Sequence, residues 1–211
     1  MKNKTMRILD AEKVYGEASI FKEPRIIGDW VLWLEQRPNE KGRTTALIRP
    51  WRQKNLLPHE LTPYPIDLRT KIHGYGGAPL TASLHGSDLI LTWIDNSDNS
   101  LWMRSWSCEK YNQKSSSFKL IPKIESICLS ERHKYCLAGG VIDLEKNMWI
   151  GLMEDNDGDY IVSFSLEKSN QKFSSFNVIP KIESICLSKQ HNYFLAGGVI
   201  DLEKNIWIGL M

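Results

Sequence analysis

The sequence predicts an all-β fold, a partial β-propeller of about three four-stranded antiparallel blades that does not close into a ring. Three observations predict it. Short apolar runs of period two recur every ~8–12 residues between polar turns. Helical periodicity is absent over nearly the whole chain. Residues 107–153 also align without a gap to 165–211, at an offset of 58 residues, and 37 of the 47 paired positions match. Sequential units closed by polar turns favour stacked blades over a sandwich, because one blade cannot bury both of its faces alone.

Residues 1–28 are of mixed character and read as an N-terminal extension that caps or wraps the domain. Residues 29–106 hold the first blade region. Trp-Val-Leu-Trp-Leu at 30–34 alternates as a strand, 36–43 is a turn punctuated by Pro38 and Gly42, and 44–48 returns as the partner strand. Pro50, Pro58, Pro63 and Pro65 make the next stretch a loop. A meander of strands follows at 79–84, 88–94 and 100–106. The first repeat copy, 107–168, forms the next blade, with strands at 141–143, 148–153 and 160–166. The last two are joined by an Asp-Gly hairpin turn in which glycine tolerates positive φ. The second copy, 169–211, is incomplete beside the first, which continues into EDNDGDYIVSFSLEK.

Composition narrows the function classes. The chain has 211 residues and a net charge of +2, with no basic run interleaved with aromatics, so nothing argues for nucleic acid or an anionic membrane. No apolar stretch is long enough to span a bilayer, and the N-terminal residues lack the apolar run of a secretion signal, so the expected location is the cytoplasm. Seven of the 8 tryptophans fall in strand-like runs and read as core. Four cysteines without a Cys-x-x-Cys spacing read as reduced thiols. No cofactor and no metal site is expected.

Three segments carry a family resemblance. They are Trp33-Leu34-Glu35-Gln36-Arg37-Pro38 through Gly42-Arg43, the loop Arg69-Thr70-Lys71-Ile72-His73-Gly74-Tyr75-Gly76-Gly77, and Gly140-Val141-Ile142-Asp143 with 149–155. Together they resemble the N-terminal propeller of the prolyl oligopeptidase family, in its acylaminoacyl-peptidase-like and dipeptidyl-aminopeptidase-like branch of serine peptidases. The loop is similar to that family's His-Glu-Tyr-Gly-Gly stretch, with Gly74 where an acid is usual. The resemblance implies a propeller covering the mouth of an α/β-hydrolase domain and restricting substrate size. It implies no catalytic residue here: the sequence has no Gly-x-Ser-x-Gly elbow and no βαβ alternation. The expected function is therefore a non-catalytic, truncated, substrate-gating propeller portion, with a stand-alone interaction module as the alternative. The implied partner is a separate α/β-hydrolase chain, or a second copy through the apolar C-terminal edge strand.

His73 and Tyr75, in the Gly-rich loop, and Arg37 and Glu35, in the first matching segment, are the candidates for a substrate-facing surface. The acidic run at 155–159 suggests a calcium loop, but Met153 stands where a first acidic ligand belongs, so it reads as a solvated hairpin. His133 and His191 are one repeat position and read as turn residues. Glu35 with Asp67, or Glu154 with Asp155, would need a defined separation across a cleft to act as a glycosidase pair. The near-identity of the copies predicts competition for one slot beside strand 100–106, which the first copy wins through its shorter connector.

Overall fold

The computed structural model describes residues 18–53, 55–108, 118–156 and 158–166, together with the backbone of three short strands beyond them. The described residues are all-β, with no α-helix. They hold fourteen strands: β1 Ile20–Ile27, β2 Trp30–Arg37, β3 Arg43–Pro50, β4 His59–Glu60, β5 Leu80–His85, β6 Asp88–Ile94, β7 Leu101–Cys108, β8 Leu120–Cys128, β9 Cys136–Asp143, β10 Met148–Glu154, β11 Asp159–Ser165, β12 Asn177–Val178, β13 Gly197–Asp201 and β14 Ile206–Leu210. They pair antiparallel into three four-stranded meanders, β1–β4, β5–β8 and β9–β12, and the hairpin β13–β14. None closes into a barrel.

The first strands of the meanders lie side by side. β1 runs against β5, β5 against β9, and β9 against β13. Polar groups stitch these junctions: Arg25 Nη1 donates to Leu80 O at 3.0 Å, and Thr81 Oγ1 to Gly140 O at 2.6 Å. The Gly139 N–H donates to Ala78 O at 3.0 Å. This is the radial stacking of an open propeller arc.

The core lies between blades. Trp30, Leu32 and Leu34 alternate inward from β2 and meet Leu89, Leu91 and Trp93 of β6. Leu101 and Met103 of β7 meet Leu137, Trp149, Val162 and Phe164 of the third blade. The middle blade therefore buries both faces, and each fully buried Leu or Trp is worth about 1.5–3 kcal/mol over an exposed one. β3 is buried along nearly its whole length, and its threonines and backbone find partners in the following loop. Thr45 Oγ1 donates to Thr62 O, the Ala46 N–H to Thr62 Oγ1, and the Thr44 N–H to Asp67 Oδ1.

β1 occupies part of the stretch that carries no strand pattern in the sequence. Its side chains are largely exposed, and its register shifts between Lys22 and Arg25, so no alternation marks it. β8 is similarly hidden, with four consecutive exposed residues.

The two repeat copies do not share one slot. In the first copy, β8 completes the second blade beside β7, and β9–β10 opens the third. In the second copy, β12 completes the third blade beside β11, and β13–β14 lies next to β9. One copy therefore spans a blade boundary: an outer strand, a connection, and the next blade's inner hairpin. The two hairpins start from equivalent pairs, Met148 opposite Asp143 and Ile206 opposite Asp201, and differ further on, where β9–β10 shifts register between Ile150 and Leu152.

Candidate functional site

Residues 69–77 form a Gly-rich loop between the first and second blades. It closes on a short 3₁₀ turn, Ile72–Gly74, whose Ile72 is buried. His73 stands at φ 53 and Gly74 at φ 78. Gly76, at φ 88, has no room for a side chain, because a Cβ would meet Thr70 O at 2.8 Å. These turns lift Tyr75 outward, where it is 73% exposed.

Tyr75 rims an open cleft of about 730 Å³ between the first blade and this loop. Lys22, Arg69, Lys71 and Asn96 line it as well. The cations rest on neutral acceptors: Lys22 Nζ on Gln36 Oε1 at 2.8 Å, Arg69 Nη2 on Gly42 O at 3.3 Å, and Lys71 Nζ on Asn96 O at 3.4 Å. Such a polar, cationic wall with one exposed aromatic suits an anionic or peptide-like ligand.

The His73 side chain is not on that wall. It is 2% exposed, its Nδ1 lies 3.5 Å from Glu154 Oε1, and its Nε2 lies 3.6 Å from Asp159 Oδ2. Its backbone N–H donates to Glu154 Oε2 at 2.6 Å. Glu154 ends β10 and Asp159 begins β11, so the ring ties the loop to the third blade. Residue 157 of the acidic turn lies outside the described residues. The rest forms a hairpin in which the Gly158 N–H donates to Asp155 Oδ1 at 3.1 Å.

Arg37 and Glu35 belong to a charge network at the β2–β3 end of the first blade. Arg37 Nε donates to Glu35 Oε1 at 2.9 Å, and Arg37 Nη1 donates to Glu40 and Glu60 at 3.0 and 3.1 Å. Arg43, only 6% exposed, donates to Glu40, to Glu60 at 2.7 Å, and to Thr62 O and Ile66 O at 3.0 Å each. Burial disfavours the Arg37 and Arg43 charges, but the carboxylates outweigh it and hold both above the usual arginine value. Glu35 and Arg37 thus bond to neighbouring groups of their own blade.

The four candidates do not converge. Tyr75 faces the cleft, His73 a blade junction, and Glu35 and Arg37 a network of their own. Sequence reasoning missed Lys22 and Asn96, which lie far from the loop in sequence, and Glu154 and Asp159 as partners of His73. His133 lies with Lys134, Cys136 and Glu154 along a smaller cleft, and its backbone N–H donates to Asp98 O at 2.7 Å. His191 lies outside the described residues. No described helix is long and apolar enough to cross a membrane.

No family model matches the chain, and no curated protein matches it. Solved structures do. A puromycin-hydrolyzing peptidase of Mycobacterium tuberculosis superposes with a TM-score of 0.54 at 21% identity, over 71% of this chain and 21% of that one. A puromycin hydrolase, solved alone and as a mutant complexed with PGG, superposes with a TM-score of 0.55 at 18% identity, over 76% of this chain and 24% of that one. The fold is thus one shared with part of these peptidases, an arc of antiparallel propeller blades. This chain spans between a fifth and a quarter of their length.

Proposed function

We propose that this chain is a substrate-gating propeller portion of a prolyl-oligopeptidase-like serine peptidase, and that catalysis resides in an α/β-hydrolase domain outside these residues. The observation that carries the reading is the superposition on two peptidases over 71–76% of the chain. The three sequence segments that resemble the family support it, because each lies on a described strand or on the loop at the cleft. The absence of a Gly-x-Ser-x-Gly elbow agrees with a non-catalytic role. The cationic cleft beside Tyr75 is the part of the arc suited to meet a peptide. Internal duplication adds one blade period, from outer strand to inner hairpin. The free Cys108, Cys128 and Cys136 support a reducing, cytoplasmic setting.

The test is to mix the purified chain with the separately produced hydrolase domain of a puromycin hydrolase. A complex that cleaves short aminoacyl substrates while excluding long peptides is the expected result. Failure to associate, with cleavage unaffected at every peptide length, would count against gating.

A further inference from the structure

We propose that Lys22, Arg69 and Lys71 read a carboxylate on an extended peptide lying in the cleft beside Tyr75, an inference that rests on this cleft's being the peptide-facing part of the arc. The arc then favours peptides that bring an acidic side chain or a free C-terminus to that wall.

The three cations have neutral partners only. The chain carries a net charge of just +2, yet Lys22, Arg69 and Lys71 all line one cleft. Among the described residues no carboxylate pairs with any of them, and each rests on an amide or carbonyl oxygen. An ammonium or guanidinium carries several N–H donors, so each keeps others for a ligand. Glu23 is the one acid among the described lining residues, and Arg25 Nη2 holds it at 2.6 Å. Nearby Asp67 is taken by neutral donors, the Thr44 N–H on Oδ1 and Asn96 Nδ2 on Oδ2, at 2.8 Å each. One amide also joins two of the cations. Lys22 Nζ donates to Gln36 Oε1, Gln36 Nε2 donates to Gly42 O at 3.3 Å, and Arg69 Nη2 donates to that same carbonyl. A preset ammonium and guanidinium suit the two oxygens of a carboxylate, which makes its strongest hydrogen bonds with charged donors.

The shape favours a peptide over a free anion. Lys71 and Gly74 line this cleft and also the neighbouring one of about 360 Å³, so the two meet at the loop. A side chain at Gly74 would meet nothing within 4 Å, so the backbone leaves the passage open there. A trough continuing across the loop fits an extended chain, whereas a lone anion needs only the cations. Exposed Tyr75 adds an aromatic face for the peptide's apolar parts. A nucleic acid strand calls for successive stacking rings, and Tyr75 is the one aromatic among the described residues of the larger cleft.

The experiment measures binding to the purified full chain by calorimetry at low ionic strength. The probes are an N-acetylated, C-amidated hexapeptide with one central glutamate, the same peptide with glutamine, the glutamine peptide with a free C-terminal carboxylate, sodium acetate, and a short oligothymidylate. At least one carboxylate peptide should bind ~5-fold or more tightly than the blocked glutamine peptide, and which one does so tells side chain from terminus. Raising salt from about 0.02 to about 0.3 M should shrink that preference ~3-fold or more. Arg69→Ala and Lys71→Ala should each shrink it by a similar factor with unchanged far-ultraviolet circular dichroism. Lys119→Ala, an exposed cation outside the cleft, should leave it intact. If Arg69→Ala disturbs the fold, Lys71→Ala decides. Equal affinity for all three peptides would overturn the carboxylate preference and leave peptide gating standing. Binding of no peptide would overturn it together with the peptide-facing cleft. Acetate or the oligothymidylate binding as tightly as the best peptide, or a preference undiminished in Lys71→Ala, would overturn it as well. The mixed-chain cleavage assay tests gating separately and can fail while the preference stands.

Discussion

The indole of Trp149 occupies the space that a side chain at Gly140 would fill. A Cβ built on Gly140 would meet Trp149 Nε1 at 1.9 Å, and one on Gly151 would meet Cη2 at 2.2 Å. The ring thus lies over two glycines of adjacent strands, β9 and β10, and reaches Phe164 of β11 with centroids 5.8 Å apart. The repeat duplicates this set in sequence, as Gly198, Trp207 and Gly209.

Gly140→Ala should therefore destabilise the chain by about 3 kcal/mol, because the indole has no free volume to retreat into. Gly86→Ala is the control. It meets nothing within 4 Å and bears only the left-handed backbone cost at φ 61, about 1 kcal/mol. Urea denaturation of both variants reads the difference, and equal losses would contradict the packing account.

Arg43→Met should cost about 2 kcal/mol, since it removes the donor to the Thr62 and Ile66 carbonyls and leaves Glu40 and Glu60 with Arg37 as their remaining cation. A loss under ~0.5 kcal/mol in urea denaturation would reduce the network to ordinary surface pairing.

The same network sets an acid dependence. The hydrogen bond from Arg43 holds Glu40 below its ordinary 4.5. Burial pushes Glu60 up, but hydrogen bonds from Arg43 and Thr45 and the arginine charges bring it below 4.5 as well. Both folded values are depressed, so the stability these carboxylates contribute is complete above the unfolded value. It is lost as pH falls through the folded ones. Unfolding midpoints followed downward from about pH 6 to about pH 3 should fall less steeply in Glu60→Gln than in the parent. Parallel curves would contradict the assignment.

Thiol reactivity should follow burial. Burial first, with the Asp88 charge adding and a Leu89 backbone hydrogen bond opposing, pushes Cys108 up to about 11. Cys136 is raised too, by burial first and by Glu154. Iodoacetamide at neutral pH should label the half-buried Cys128 before Cys108 in the folded chain, as read by peptide mass spectrometry. Early labelling of Cys108 would show that β7 opens.

The alternation of Trp30, Leu32 and Leu34 and the two-residue rhythm of β6 and β7 made the blades legible, because those faces meet a neighbouring blade. β1 and β8 were not legible. Most of their residues are exposed or half-buried, with only Ile27, Leu120 and Ile127 reaching a core, so pairing with β2 and β7 rather than an apolar alternation marks them as strands. The expected contest between the repeat copies rested on treating the copy as one blade. In the fold the copy crosses a blade boundary, which gives each copy its own neighbours. In the candidate site, the Gly-rich loop pointed to Tyr75. The burial of His73 was invisible, because its acids lie 81 and 86 positions away in sequence. The acidic hairpin read as solvated for the same reason.

The central claim, a gating arc whose chemistry lies elsewhere, is met most directly by assaying the purified chain. Aminoacyl and peptidyl nitroanilides, with and without a serine-directed phosphonate, are the substrates of choice. The account predicts no turnover and no phosphonate adduct by mass spectrometry. Hydrolysis that the phosphonate abolishes, with one adduct per chain, would contradict it.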